Sequence, residues 1–327
     1  MNIAIITPAA APALGGNLNT AQRWGRFLKH SGHNVKIQTE WDGDPADMMI
    51  ALHARKSHAS IKRFATLLPR APLIVCLTGT DLYRDIKTDA SAQESLKLAS
   101  RIIVLQEMGL NELSADMRDK ARVVYQSAKP TKPAAPIKNH FEISVIGHLR
   151  EEKDPFRCAM ALAYLPPNSR IRICHIGGAM NAEMDNEARK WMAREPRYRW
   201  IGEIPHWKVL KRLARSRAMV ISSRMEGGAN VISEALAADV PVIASRIPGN
   251  IGMLGESYKG YYAVEDERQL AALLQRLETD PDFCKALKNQ CQKRLPLVQE
   301  KCESESLEVL LAEIKRQWLG QGWLPRY

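Results

Sequence analysis

The chain has no C-x-x-C pair, no H-E-x-x-H, no D-x-D at the end of an apolar strand and no cluster of cysteine with histidine. Those are the spacings by which short segments hold a metal ion, so no metal and no other cofactor is expected. Its six cysteines, Cys76, Cys158, Cys174, Cys284, Cys291 and Cys302, are scattered, which fits free thiols in a reducing compartment better than a disulfide framework. No apolar run approaches the ~20 residues of a membrane-spanning helix. The opening MNIAIITPAAAPALGG lacks the basic stretch that precedes the apolar core of a signal peptide. A cytoplasmic protein without stable membrane association is the expectation. Lys and Arg outnumber Asp and Glu by 47 to 36, a net charge of +11. These basic residues are spread along the chain and not interleaved with aromatics on a recognisable binding motif, so nucleic acid is not expected and a small anionic ligand is.

What is present is an alternation of short apolar runs with helical patterns. The runs Ile3–Thr7, Val35–Ile37, Met48–Leu52, Leu73–Leu77, Arg101–Leu105 and Ala121–Tyr125 come first, with helices such as Thr20–His30, Ala59–Leu68 and Ser91–Ala99 between most of them. The segment from Ser127 to Pro136 carries Pro130, Pro133 and Pro136 and reads as a linker. Alternation then resumes from Ile143 to Ser245, and Glu267–Leu277 and Asp280–Trp318 read as helical. Continuous apolar strands alternating with helices mean a parallel sheet covered on both faces. The fold class expected is therefore α/β, with two doubly wound Rossmann-like domains facing each other across a cleft. Their extents are 1–137 for an acceptor domain and 138–305 for a donor domain. The stretch 306–327 reads as a C-terminal helix and tail, and in GT-B folds the last helix commonly crosses back to the first domain, as is expected here. Dehydrogenases and GT-B glycosyltransferases share this plan, but no G-x-G-x-x-G follows the first strand, which weakens the dehydrogenase reading.

The densest chemistry lies in SSRMEGGANVISEALAADVPVIAS, residues 222–245. A strand ends in a polar loop, Gly227 and Gly228 let a ligand approach the backbone, and a helix opens at about Ala229. A helix N-terminus suits a diphosphate. Glu226 on the loop and Glu234 one turn into the helix stand eight residues apart. The plainer alternative is a surface glutamate and a helix-capping one. A second loop, Gly147-His148-Leu149-Arg150-Glu151-Glu152-Lys153, places cations after a strand.

These stretches resemble the retaining glycosyltransferases of family four, which have the GT-B fold. The resemblance implies that Glu234 binds the donor ribose and that Glu226 contacts the donor sugar. Backbone amides near Asn230 and Val231, next to Gly227 and Gly228, would hold the diphosphate, and the backbone of Ile204 would receive the nucleobase. Lys153 matches a family lysine that neutralises the leaving diphosphate. The matching arginine is His148 here, and Arg150 would supply that charge. Gly16 falls on a loop that in the family lies near the donor phosphates.

In the N-terminal half, Gly15, Asn17 and Thr20 follow the first strand, and HARKS (53–57) and TGTDLYRD (78–85) follow two others. They gather His53, Arg55, Lys56, Thr78, Gly79, Thr80, Asp81, Tyr83 and Arg84, with up to three positive charges, and read as a site for a small anionic acceptor. The strings TPAAAPALGGNLNTAQRW, WDGDPADMMIALHARKS, LTGTDLYRDI, VVYQSAKP and GHLREEKDP are similar to the selenosugar synthases of selenoneine biosynthesis. That resemblance implies transfer from a UDP-sugar, UDP-N-acetylglucosamine above all, to selenophosphate, with UDP released. A family-four-like enzyme with a hydroxyl acceptor, a GT-B epimerase and a nucleotide-binding module are the alternatives.

Overall fold

The computed structural model describes residues 1–8, 15–132 and 134–319. Two compact units are present, one made of Met1–Gln126 with the segment from Glu300 onward, the other of Ser127–Gln299. The first holds β1 (Asn2–Ile6), β2 (Asn34–Gln38), β3 (Met48–Leu52), β4 (Leu73–Leu77), β5 (Arg101–Val104) and β6 (Ala121–Val123). The second holds β7 (Phe141–Ile146), β8 (Ile171–Ile176), β9 (Tyr198–Trp200), β10 (Ala218–Ile221), β11 (Val242–Ser245) and β12 (Tyr261–Tyr262). All pairings are parallel. Every residue of MMIAL in β3 and LIVCL in β4 is buried, as a parallel strand covered on both faces requires.

Strand order is β2-β1-β3-β4-β5-β6 in the first sheet and β12-β11-β10-β7-β8-β9 in the second. In the first, the order reverses between β1 and β3. In the second it reverses between β7 and β10. Helices on the two sides of such a point diverge and leave a crevice at the carboxyl ends of the strands. The loops after β1 and β3, and those after β7 and β10, are thereby marked out in each unit.

Three stretches depart from the sequence reading. The stretch from Ser127 to Pro136, read as a linker, is held on the second unit by bonds within it and just after it: Ala128 N–H donates to Val298 O (3.0 Å), Thr131 N–H to Ala237 O (3.3 Å) and Ile137 N–H to Arg215 O (3.1 Å). The prolines lack N–H groups, and the residues between them keep theirs. The long helical stretch from Asp280 breaks at a 3-10 turn, Leu295–Val298, which contains Pro296, and restarts at Glu300. The helix Pro248–Leu254 carries glycines that hide it from propensity.

The helix Glu300–Leu319 belongs to the first unit, where Leu307, Leu310, Leu311 and Ile314 pack with Ile3, Ile5, Trp24, Leu28 and Ile50. The tail from Gly320 lies outside the described residues. A fully buried carboxylate, Glu303, fixes the helix. Its Oε2 accepts from Arg23 Nε (2.6 Å), and its Oε1 accepts from Trp24 Nε1 (2.7 Å) and Arg23 Nη2 (3.0 Å). Removing one partner of such a pair strands the other charge in a poorly solvated place. Glu303→Ala is expected to cost about 3–5 kcal/mol of stability, read as a lower urea midpoint for the first unit, with Glu303→Gln costing less.

Candidate active site

In the second unit, the loop after β7 is tied to the loop after β10. Ser222 Oγ donates to the carbonyls of Lys153 and Asp154, both at 2.9 Å. Arg224 N–H donates to Glu152 O (2.8 Å), and Arg224 Nη1 donates to Glu151 O (3.0 Å). Asp154 turns the chain with φ +44°, a conformation that Asp tolerates better than most residues, and its carboxylate accepts from Arg157 Nε (2.7 Å). The bend brings Lys153 to Glu226, where ammonium and carboxylate form an ion pair through Oε1. Ser223 Oγ donates to the same oxygen at 2.5 Å. The two charged side chains are 20% and 10% accessible, so their attraction is little screened and both remain reachable from solvent. Behind them, a Cβ on Gly249 would stand 2.0 Å from Glu226 O, so only glycine fits there.

Beyond Glu226 the backbone is bare. Among the described residues, the N–H groups of Gly227, Gly228, Ala229, Asn230 and Val231 have no hydrogen-bond partner. Gly227 and Gly228 are buried, and the helix Asn230–Ala237 starts immediately after. Buried backbone donors are rarely left unpaired in a folded chain. A run of five, ending at the positive end of a helix, forms a cradle for an anion of diphosphate size.

Glu234, one turn into that helix, accepts a hydrogen bond from His206 Nε2 on Oε1 at 2.8 Å. That bond raises the imidazole's pKa above its ordinary value. Ile204 packs its side chain against Cys174, Ile176 and Val209, while its own N–H and C=O have no partner among the described residues. His148 is turned by Gly178, whose N–H donates to Nδ1 (3.1 Å), so the neutral ring carries its proton on Nε2. Gly177 (φ +153°) lies so close to Gly147 that a Cβ would sit 2.0 Å from Gly147 O. His175 lies beneath, its Nε2–H donating to Gly147 O (3.2 Å) and its Nδ1 accepting from Tyr198 O–H (2.9 Å). Burial pushes the His175 pKa down to about 4.

In the first unit, His53 ends the strand run of β3 in a left-handed conformation (φ +74°) and is buried. Lys56 N–H donates to His53 Nδ1 (3.3 Å), which leaves Nε2–H to donate to Thr80 Oγ1 (3.1 Å). Burial lowers its pKa, so the ring stays neutral. The Asp81 carboxylate is fully buried, with Oδ1 accepting from Thr78 N–H and Gly79 N–H and Oδ2 from Ala54 N–H, each at 2.9 Å. Arg84 Nε donates to Asp85 Oδ1 (2.9 Å), and Arg55 Nε lies 3.9 Å from both Asp85 Oδ2 and Asp89 Oδ2. Lys56 is exposed, with no carboxylate partner among the described residues.

Residues 129–294 match the glycosyl transferases group 1 family, half of the chain. The chain belongs to that family. The group 1 glycosyltransferase is 24% identical over 307 residues to glycosyltransferase 1 domain-containing protein 1 of Xenopus tropicalis, covering 85% of this chain and 88% of that protein. Its fold is that of the crystal structure of Anabaena HepE in complex with UDP and glucose (TM-score 0.76, 15% identity, 96% of this chain and 100% of that one). Sucrose-phosphate synthase from Thermosynechococcus elongatus is similar in fold (TM-score 0.78, 16% identity, 97% and 99%). Both units are thus Rossmann-like halves of a GT-B fold.

Of the residues singled out in this glycosyltransferase's sequence, the second unit brings together Lys153, Glu226, Gly227, Gly228, Asn230 and Val231 around two loops of one crevice. Arg150 is exposed, with no ion-pair partner among the described residues. Thr20 does not sit where the sequence reading put it. It is buried, donating to Gly16 O (2.8 Å) and accepting from Gln126 Nε2, because the helix begins at Gly16. Gly16 and Asn17 are therefore helical, with Gly15 as the capping residue. Asp81 is occupied by three backbone donors and holds the loops after β3 and β4 together. Tyr83 O–H accepts from Gln106 Nε2 (3.0 Å), a residue the sequence reading passed over. His206, Ser223, Asp154 and His175 were also missed: His206 and His175 meet partners far away in the chain, while Ser223 and Asp154 meet residues three positions on. Among the described residues no group of His, Cys, Asp and Glu is placed to hold a metal ion, and no helix is long and apolar enough to cross a membrane.

His175 makes the fold acid-sensitive. Its pKa falls from 6.5 to about 4 on folding, so between those values the unfolded chain binds more protons. Stability is full above pH 6.5 and declines as pH falls toward 4, by about 3 kcal/mol from this group. Urea titrations across that window should show this slope, and His175→Gln, which cannot titrate, should flatten it.

Proposed function

We propose that the chain transfers a sugar from a UDP-sugar, UDP-N-acetylglucosamine above all, to selenophosphate, forming a bond between selenium and the anomeric carbon and releasing UDP. The observation that carries the donor half is the run of unpaired N–H groups from Gly227 to Val231, with Lys153 beside it on Glu226. UDP as the nucleotide is supported by the fold's likeness to HepE, which holds UDP and glucose in its crystal structure. Glu234 and the open backbone of Ile204 suit a ribose and a base. The acceptor half rests on the N-terminal strings that resemble selenosugar synthases, and on Lys56, an exposed cation of the first unit with no carboxylate partner among the described residues.

In this reading, a selenium lone pair of selenophosphate attacks the anomeric carbon. The bond from that carbon to the diphosphate oxygen breaks, and its electron pair leaves on UDP. The nucleophile is already anionic and needs no general base. The protein's tasks are positioning and stabilisation of the departing charge by fixed donors. Lys153 and the helix N-terminus supply them, while Glu226 and Ser223 keep the ammonium oriented. No metal is required by this scheme. A hydroxyl acceptor is the second reading. Asp85 favours it, because its carboxylate takes Arg84 and stands near Arg55, weakening the field that would draw an anion.

Incubation with UDP-N-acetylglucosamine and selenophosphate, with EDTA present, should release UDP and yield a selenium-bearing sugar by mass spectrometry. UDP release no greater than in a control without acceptor would sink the selenophosphate assignment. Lys153→Ala should lower kcat roughly 10²–10³-fold, the range for removing one stabilising donor, with the donor KM changed far less.

A further inference from the structure

We infer that His206 is a positioning residue of the donor nucleoside site, holding one oxygen of Glu234 so that the other is aimed at a ribose hydroxyl. This rests on the reading of Glu234 as the ribose ligand.

The argument begins from where His206 stands. It is the first residue of the helix His206–Leu213, and Pro205 caps that helix without a side-chain bond. An imidazole there does nothing for the helix, and in its charged form it meets the positive end of the helix dipole. Its side chain is 58% accessible, so the core does not hold it either. What it does hold is Glu234, whose side chain is only 14% accessible and sits on a different helix, Asn230–Ala237.

A glutamate side chain has three torsions to fix. Ordering them on ligand binding carries an entropic cost. A bond of 2.8 Å from Nε2 to Oε1 fixes them beforehand and leaves Oε2 outside that bond. The loop carrying Ile204 leads directly into His206, so the same short segment sets the backbone offered to a base and the carboxylate offered to a ribose. The nucleoside would thus be read by one rigid strip of chain running from Ile204 to His206 plus Glu234.

The test is UDP binding by calorimetry, which does not depend on the identity of the acceptor. Wild type, Glu234→Ala, His206→Ala, His206→Gln and the Glu234→Ala/His206→Ala double variant are compared. His206→Ala should weaken UDP binding about tenfold, the size of one hydrogen bond's net effect. His206→Gln, which keeps an N–H donor, should recover most of that loss. In the double variant, loss of His206 should add nothing to loss of Glu234. In turnover assays His206→Ala should raise donor KM and leave kcat within about twofold. Unchanged or tighter UDP binding by His206→Ala, with Glu234→Ala still weak, overturns the inference alone. Unchanged binding by Glu234→Ala overturns the ribose assignment beneath it. A lowered melting temperature with normal UDP affinity marks His206 as a structural contact and overturns the inference.

Discussion

The pairing of Lys153 with Glu226 joins residues 73 positions apart, and much of the second unit exists to make it possible. β7 and β10 are neighbours although β8 and β9 lie between them in sequence, because the strand order reverses there. Only at such a reversal do two carboxyl-end loops leave room for each other without a helix filling the gap. Ser222 and Arg224 then tie one loop's backbone to the other, and Gly249 lets the chain after β11 press against the carbonyl of Glu226. With those ties in place the ammonium, the carboxylate and the bare N–H groups beside them have fixed positions before any ligand arrives.

The first unit solves a similar problem with one carboxylate. Asp81 accepts backbone N–H groups from Ala54, Thr78 and Gly79, and so binds the ends of β3 and β4 together. A buried charge is tolerated where several donors converge on it. The strained backbone of His53 is held by the same cluster through Thr80. Both units place a polar side chain at the carboxyl end of the sheet to satisfy loop backbone that no strand or helix would satisfy.

Much of this was legible in the sequence where the determining residues are close together. The runs MMIAL and LIVCL announce buried parallel strands, and Gly227 and Gly228 announce an open turn before a helix, because strand, turn and helix chemistry are all local. The rest depends on partners far away in the chain. Nothing in the spacing around His206 says that Glu234 will meet it, and nothing around Lys153 says that Glu226 will. Residue type also misleads when it does not reveal who satisfies it. Thr20 and Asp81 are polar residues after apolar strands, and the sequence does not say that Gln126 and loop backbone are among their partners. Arg55 and Arg84 were counted toward a positive cluster, and the structure places Asp85 beside both.

The helix Glu300–Leu319 gives the chain an order of assembly. Residues 1–126 are made before residues 300–319, but the core of their unit also needs Leu307, Leu310, Leu311 and Ile314, and the carboxylate of Glu303 for Arg23 and Trp24. All of the second unit, Ser127–Gln299, is made before those residues appear. The first unit therefore closes its core only after the whole second unit has been made, and until then the apolar face that this helix covers stays open.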